Sequence, residues 1–190
     1  MIYEYWVIAG LWLLWAAYWM LSAQSTKQSE QSESGSSRLI HLGLVVAAFA
    51  LVALPGLGIG FLGWRLLPDP FIAFLIGVAV EALGLGFAVW ARIHLGQYWS
   101  GTIEIKSEHQ LIRSGPYALV RHPIYSGIIL AAFATAAQMG TAASLAGAAL
   151  MTLGWYVKAR FEERFLAREL GAAYEAYAAR VPMLVPFAKF

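Results

Sequence analysis

Runs of apolar residues as long as a bilayer is thick leave this chain few folds to choose from. Five such runs stand at residues 2–22, 39–54, 71–93, 123–138 and 142–161. A helix of about 20 apolar residues crosses the hydrocarbon core. Lipid offers no partner to a backbone N–H or C=O, so each run predicts a helix. The expected fold class is all-α integral membrane: about five transmembrane helices plus a cytoplasmic C-terminal helical tail, and no Rossmann domain. Gly84-Leu85-Gly86 lies inside the third run with no strand before it, so it is no dinucleotide fingerprint. Composition points the same way, with 60% of the residues hydrophobic and 13% charged; soluble domains sit near roughly half and a quarter. A net charge of +2 gives no reason to expect nucleic acid. The absence of cysteine excludes disulfides, a Cys-bound metal and a thiol nucleophile. Glu4 stands where a signal peptide would carry a basic residue, so the first run reads as a retained span.

Between the runs the chain is punctuated clearly. Residues 23–37 form a Ser/Gln/Glu linker, and Pro55 with Gly56, Gly58 and Gly60 ends the second run. A short connection over 61–70 holds Arg65, and Met139-Gly140-Thr141 turns the last two runs into a hairpin. A final helix is expected over about 162–180, broken or bent at Gly171 and stopped by Pro182. With five spans, every basic residue except Arg65 falls on one side of the membrane. The positive-inside rule then puts the N-terminus outside and segments 94–122 and 162–190 in the cytoplasm. The expected organisation is a single multi-pass membrane domain over 1–190, with those two segments meeting at the cytoplasmic interface.

One polar stretch interrupts the apolar pattern. Residues 109–127 read His-Gln-Leu-Ile-Arg-Ser-Gly-Pro-Tyr-Ala-Leu-Val-Arg-His-Pro-Ile-Tyr-Ser-Gly. Gly115-Pro116 predicts a turn. In His122-Pro123, proline pushes the residue before it out of the α region and itself suits the first helical position. Arg121 and His122 are therefore expected at the mouth of a helix that starts at Pro123. Read blandly, Arg121 snorkels, His122 caps, and Tyr117 and Tyr125 belong to an interfacial belt. Lys158 and Glu162, at i,i+4, make an ordinary helix pair. Glu81, deep in the third run, either faces a functional interior or bonds a neighbouring helix. Gly77, Gly84, Gly86, Gly147 and Gly154 read as helix-packing positions. The four histidines make neither an HxxxH nor an HExxH pair, so no metal site is expected.

The order His109-Gln-Leu-Ile, Gly115-Pro-Tyr117, Arg121-His122-Pro123-x-Tyr125-x-Gly127, Glu162-Glu163, Tyr174-x-x-Tyr177-x-x-x-Val181-Pro182 resembles the isoprenylcysteine carboxyl methyltransferase family. That is a group of integral-membrane methyltransferases to which phospholipid N-methyltransferases are distantly similar. The likeness covers roughly residues 90 to 187. It implies S-adenosyl-L-methionine as cofactor, with His109, Leu111, Ile112, Tyr117, His122, Pro123, Tyr125 and Glu162 lining its pocket. It implies Arg121, Glu162 and Arg160 as catalytic groups. The family's substrate arginine falls on Lys158, with Arg160 the nearest real arginine, so both are candidates for substrate binding. Thr102 stands where the eukaryotic enzymes carry a cofactor-contacting Gln.

What the resemblance implies in function is methyl transfer, at the cytoplasmic interface, to a carboxylate of the isoprenylcysteine type or another lipophilic acceptor. A lipid or prenylated small molecule and the bilayer are then the expected partners. An ionised carboxylate or thiolate attacking a methyl sulfonium needs alignment and loss of water rather than a base. An amine or thiol would first have to lose a proton, for which Glu162, Glu163 or His122 is at hand. Phospholipid, amine or thiol methylation within the same family is one alternative. A sterol-reductase-like oxidoreductase is another, against which stand Ile128, where that group tends to have Asp, and too few spans. A non-catalytic membrane protein is the third.

Overall fold

The computed structural model describes residues 2–23, 35–53, 59–68, 71–96 and 111–188, and among them the chain is almost wholly helical, with no strand. Six helices follow in order: α1 (Ile2–Ala23), α2 (Gly35–Ala53), α3 (Phe71–Leu95), α4 (Pro123–Met139), α5 (Ala142–Leu170) and α6 (Ala172–Ala178). α3 packs most extensively against α4, and α2 against α5, while α1 lies on α3. Two of the described helical stretches, Tyr3–Ser22 and Phe71–Leu95, are long and apolar enough on their own to cross a membrane.

Small residues let the helices approach. Ala88 and Ala91 of α3, Ala131, Ala132 and Ala136 of α4, and Ala148 of α5 are completely buried. Gly84 and Gly127 mark the tightest crossing. A Cβ on Gly84 would sit 2.7 Å from the Gly127 carbonyl oxygen and 2.9 Å from the Ala131 nitrogen. A Cβ on Gly127 would press into the Gly84 carbonyl oxygen in turn. Such small-residue contacts are the usual seam between membrane helices. Gly77 meets the Gln138 side chain and Gly147 meets Ala48 and Val52 of α2, but Gly86 and Gly154 do not fit the expected packing role. A Cβ on either would meet nothing within 4 Å; Gly86 is exposed on α3, whereas Gly154 of α5 is buried.

The two ends of the bundle differ. At one end Gly140, in the left-handed region at φ 66°, closes α4, and Thr141 caps α5 by accepting from the Ser144 N–H at 3.1 Å. The connection at 59–68 is tied to this turn: Leu66 N–H donates to Gly140 O at 2.7 Å, and Ala142 N–H donates to Trp64 O at 3.0 Å. At the other end lie Pro123, the 111–122 segment, the outer half of α5, and α6. α5 runs unbroken through residue 162, where the sequence suggested a new helix, and stops only at Gly171, whose φ is 51°.

Glu81 is fully buried between these ends. Its Oε2 accepts from Gln138 Nε2 at 2.9 Å, while nearby on α4 Thr135 accepts from Trp12 Nε1 at 3.0 Å. Of the two readings left open for Glu81, the contacts match bonding to a neighbouring helix.

Candidate active site

Three short pieces of backbone converge at the start of α4. Gly115–Ala118 forms a single 3-10 turn that buries Pro116 and Tyr117. The Tyr117 carbonyl accepts from the Tyr177 hydroxyl of α6 at 2.6 Å. Just past α6 the chain crosses the mouth of α4. Arg121 N–H donates to Pro182 O at 2.8 Å, His122 N–H to Met183 O at 3.1 Å, and Ser126 Oγ to Leu184 O at 2.5 Å. The first N–H groups of a helix have no intrahelical partner, and Pro123 at the first position removes one of them outright. The 181–184 segment engages the polar groups that flank this start.

Above this mouth, α4 and α5 bring five polar side chains together. Arg121 Nε donates to Glu163 Oε1 at 2.6 Å, and its Nη1 donates to the carbonyls of Ala178 at 2.9 Å and Val181 at 2.5 Å. Tyr125 donates its hydroxyl to Glu162 Oε1 at 2.5 Å. His122 lies between the two carboxylates, with Nδ1 at 3.4 Å from Glu162 and Nε2 at 3.4 Å from Glu163. Its ring stacks on Tyr125 at 5.4 Å and 4°, and Tyr125 stacks on Trp155 at 4.5 Å. Lys158 Nζ stands near the last two rings of this stack, 5.9 Å from the Tyr125 centroid and 5.6 Å from that of Trp155.

Electrostatics follow from this packing. Burial, the largest influence on His122, pushes its imidazole down, but the two glutamates together outweigh it and hold the ring above its ordinary 6.5. Burial pushes Glu163 up, yet His122 and Arg121 bring it down to about 2. Glu162 ends below its ordinary value for the same reason, with His122, Lys158 and Tyr125 overcoming burial. A carboxylate faces each ring nitrogen, which favours the charged form of the imidazole over the neutral one.

The structure therefore brings together Arg121, His122, Pro123, Tyr125, Lys158 and Glu162. Tyr117 lies buried behind the site, and Leu111 and Ile112 are half-buried, Ile112 against the core. Arg160 does not join them. It is exposed, about 200° around α5 from Lys158 at 100° per residue. His109 lies outside the described residues, as does Thr102. Arg121, expected among the catalytic groups, instead holds Glu163 and two carbonyls of the tail. Three participants escaped the sequence reading: Glu163 as the partner of Arg121, Ser126 as an anchor of the tail, and Trp155. Trp155 had a signal, since 155, 158 and 162 share one helical face.

The family model of the isoprenylcysteine carboxyl methyltransferase (ICMT) family matches residues 75–168. Methanethiol S-methyltransferase 2 of Bradyrhizobium diazoefficiens is 49% identical over 70 residues, 37% of this chain and 26% of that protein. Protein-S-isoprenylcysteine O-methyltransferase B of Arabidopsis thaliana is 31% identical over 114 residues, 58% of each. Among solved structures, a eukaryotic intramembrane Ras methyltransferase ICMT shares the fold at a TM-score of 0.56 and 22% identity, over 82% of this chain and 54% of that one. The chain thus spans from about a quarter to about three fifths of the curated relatives it matches. Sequence and fold agree, and the matched stretch of this chain, residues 75–168, belongs to the isoprenylcysteine carboxyl methyltransferase family.

Proposed function

We propose that this protein is a multi-pass membrane methyltransferase that moves a methyl group from S-adenosylmethionine to a lipophilic acceptor at the cytoplasmic interface. The observation that carries this reading is the joined cluster of His122, Tyr125, Lys158 and Glu162 on facing helices. The chemistry of the donor set fits the cofactor. Glu162 keeps a partly exposed carboxylate (22% of its side chain) that suits an α-ammonium. Leu111, Ile112, Tyr117 and Pro123 supply apolar walls, and the family likeness adds His109. When bound, S-adenosylmethionine supplies an electrophilic methyl group.

The chain's own residues do the rest by position. Tyr125 and His122 hold Glu162 in place, and Arg121 fixes Glu163 and the 181–184 segment, so it acts as a positioning residue. Both carboxylates and the imidazolium are engaged with one another, so the acceptor reaches the site already ionised. Lys158 provides the positive charge that meets it, a role for which exposed Arg160 is badly placed. A bundle wall at the interface lets an apolar tail enter from the bilayer and excludes water from the reacting atoms. Two acceptor types remain within this reading. The isoprenylcysteine enzymes point to a carboxylate, and the 49% identical stretch shared with a methanethiol S-methyltransferase points to a thiol.

Calorimetry of S-adenosylmethionine binding to the full chain in detergent tests the placement. Tyr125→Phe removes a hydrogen bond to a charged group, and Glu162→Gln removes the charge. Each is expected to weaken binding by roughly tenfold or more. Unchanged affinity in both variants would remove the cluster from the cofactor pocket.

A further inference from the structure

Three arginines of α5, Arg160, Arg164 and Arg168, follow one another at i,i+4. At 100° per residue they share a sector of about 100° with Leu153, Val157 and Phe161, and all six are exposed. The sector points away from Trp155, Lys158 and Glu162. The acidic residues of α5, Glu162, Glu163 and Glu169, fall outside it. Among the described residues, none of the three arginines pairs with a carboxylate. Arg164 meets the Phe161 ring, its guanidinium carbon 5.7 Å from the centroid. Like charges at this spacing repel along a helix, so the row is eased by anions that come from outside the helix.

Depth decides which anion. Leu153, Val157 and Phe161 extend the sector towards the start of α5, so this face changes from apolar to cationic along its length. Counted from Ala142 beside the Gly140 turn, a rise of 1.5 Å per residue puts Arg160, Arg164 and Arg168 at about 27, 33 and 39 Å. The hydrocarbon core is roughly 30 Å thick, with headgroups for about 5–8 Å beyond it. Arg160 then snorkels from the edge of the core, Arg164 lies among the headgroups, and Arg168 stands just outside them. Arg164 is the best prepared of the three. The Phe161 ring packs against its guanidinium, whose edge keeps the N–H fork that suits phosphate oxygens.

We infer that this arginine row is a docking surface for anionic phospholipid headgroups, with Arg160 and Arg164 on the phosphates and Arg168 attracting them from outside. The inference rests on the membrane placement in the proposed function and not on methyl transfer. It gives Arg160 a role that the cluster does not: the side chain expected to grip substrate grips the leaflet instead. A zwitterionic headgroup carries the same phosphate beside its own cation, so the row discriminates by net charge. α5 bears Lys158, Glu162 and Glu163 on its other faces. Lipid held along this row therefore sets the depth and rotation at which the cluster meets the membrane surface.

The test equilibrates the purified full chain, in neutral detergent, with equal amounts of phosphatidylglycerol and phosphatidylcholine. Retained lipids are then counted by native mass spectrometry. Phosphatidylglycerol is expected to be retained over phosphatidylcholine, and less so as salt is raised. Arg160→Gln and Arg164→Gln are each expected to cut that preference about fivefold, and Arg168→Gln less than about twofold. Arg164→Lys, which keeps the charge but not the fork, is expected to lie between the unaltered chain and Arg164→Gln. Circular dichroism in detergent is expected to be the same for all four variants, which separates loss of lipid from loss of fold. Equal retention of the two lipids by the unaltered chain would overturn the assignment, as would a preference that survives both Arg160→Gln and Arg164→Gln. Retention of neither lipid would overturn the membrane placement with it. Absence of donor binding, by calorimetry on the same sample, would overturn methyl transfer alone and leave the lipid surface standing.

Discussion

His122 is where burial and charge compete most directly. Its ring is 8% exposed and faces Glu162 and Glu163, with Tyr125 stacked against it and Arg121 bound to the second carboxylate. Because its folded-state pKa is raised above 6.5, the imidazolium contributes stability that is fully present below that pH. It is lost as pH rises through the higher folded value. Glu163 behaves oppositely. Its contribution is present above the ordinary 4.5 and lost as pH falls towards about 2. The melting advantage of the unaltered chain over His122→Gln is therefore expected to stay constant from about pH 5 to 6.5 and to shrink above it. A gap that does not change with pH would show that His122 is neutral in the fold. None of this was visible in the local spacing. Lys158 and Glu162 at i,i+4 read as a helix pair, and Lys158 does help hold Glu162 ionised, but Glu162 also reaches Tyr125 and His122, 37 and 40 positions away. Long-range pairing of this kind is set by how helices cross, which one-dimensional periodicity does not encode.

At the level of elements, the crossing of α3 and α4 decides where the site stands, since His122 and Tyr125 ride on the first turn of α4. Gly127 touches α3 one turn further along, against Gly84 and Ala88. Gly127→Ala is expected to force the two helices apart, at roughly 1–3 kcal/mol, and to weaken donor binding as α4 shifts. Gly86→Ala on the outward side of α3 is the matched control. Nothing lies within reach of its Cβ, so it is expected to be neutral or slightly stabilising. Equal thermal shifts for the two would mean that the seam is not tight. Stops and starts were the most legible elements. His122-Pro123 announced the beginning of α4, and Gly171 the end of α5, because both rest on local backbone chemistry. The boundary expected at 161–162 was misplaced for a physical reason. Composition changes there from apolar to charged, which alters the surroundings of a helix but not its hydrogen bonding, so α5 continues.

On the scale of the molecule, α5 is the element that joins membrane to site. Its 29 residues rise about 43 Å, more than the roughly 30 Å of a hydrocarbon core, so its charged second half projects beyond the core on the five-span reading. Among the described residues, two helices satisfy the length and apolarity of an isolated span. α4, with 17 residues, packs extensively on α3, and a short helix sheltered in this way needs less apolar length than one facing lipid alone. The ends of the bundle give orientation a direct test. The 59–68 connection, which holds Arg65, is bonded to the Gly140 turn, whereas α6 lies at the opposite end beside the cluster. The chain has no cysteine, so one thiol introduced at exposed Phe61 and another, in a separate variant, at exposed Ala176 report on the two ends cleanly. In intact cells a membrane-impermeant thiol reagent is expected to label Phe61→Cys and spare Ala176→Cys until the membrane is opened. The reverse pattern would turn the whole bundle over and put the site outside. Labelling of both in intact cells would break the odd number of crossings between them, and with it the five-span count.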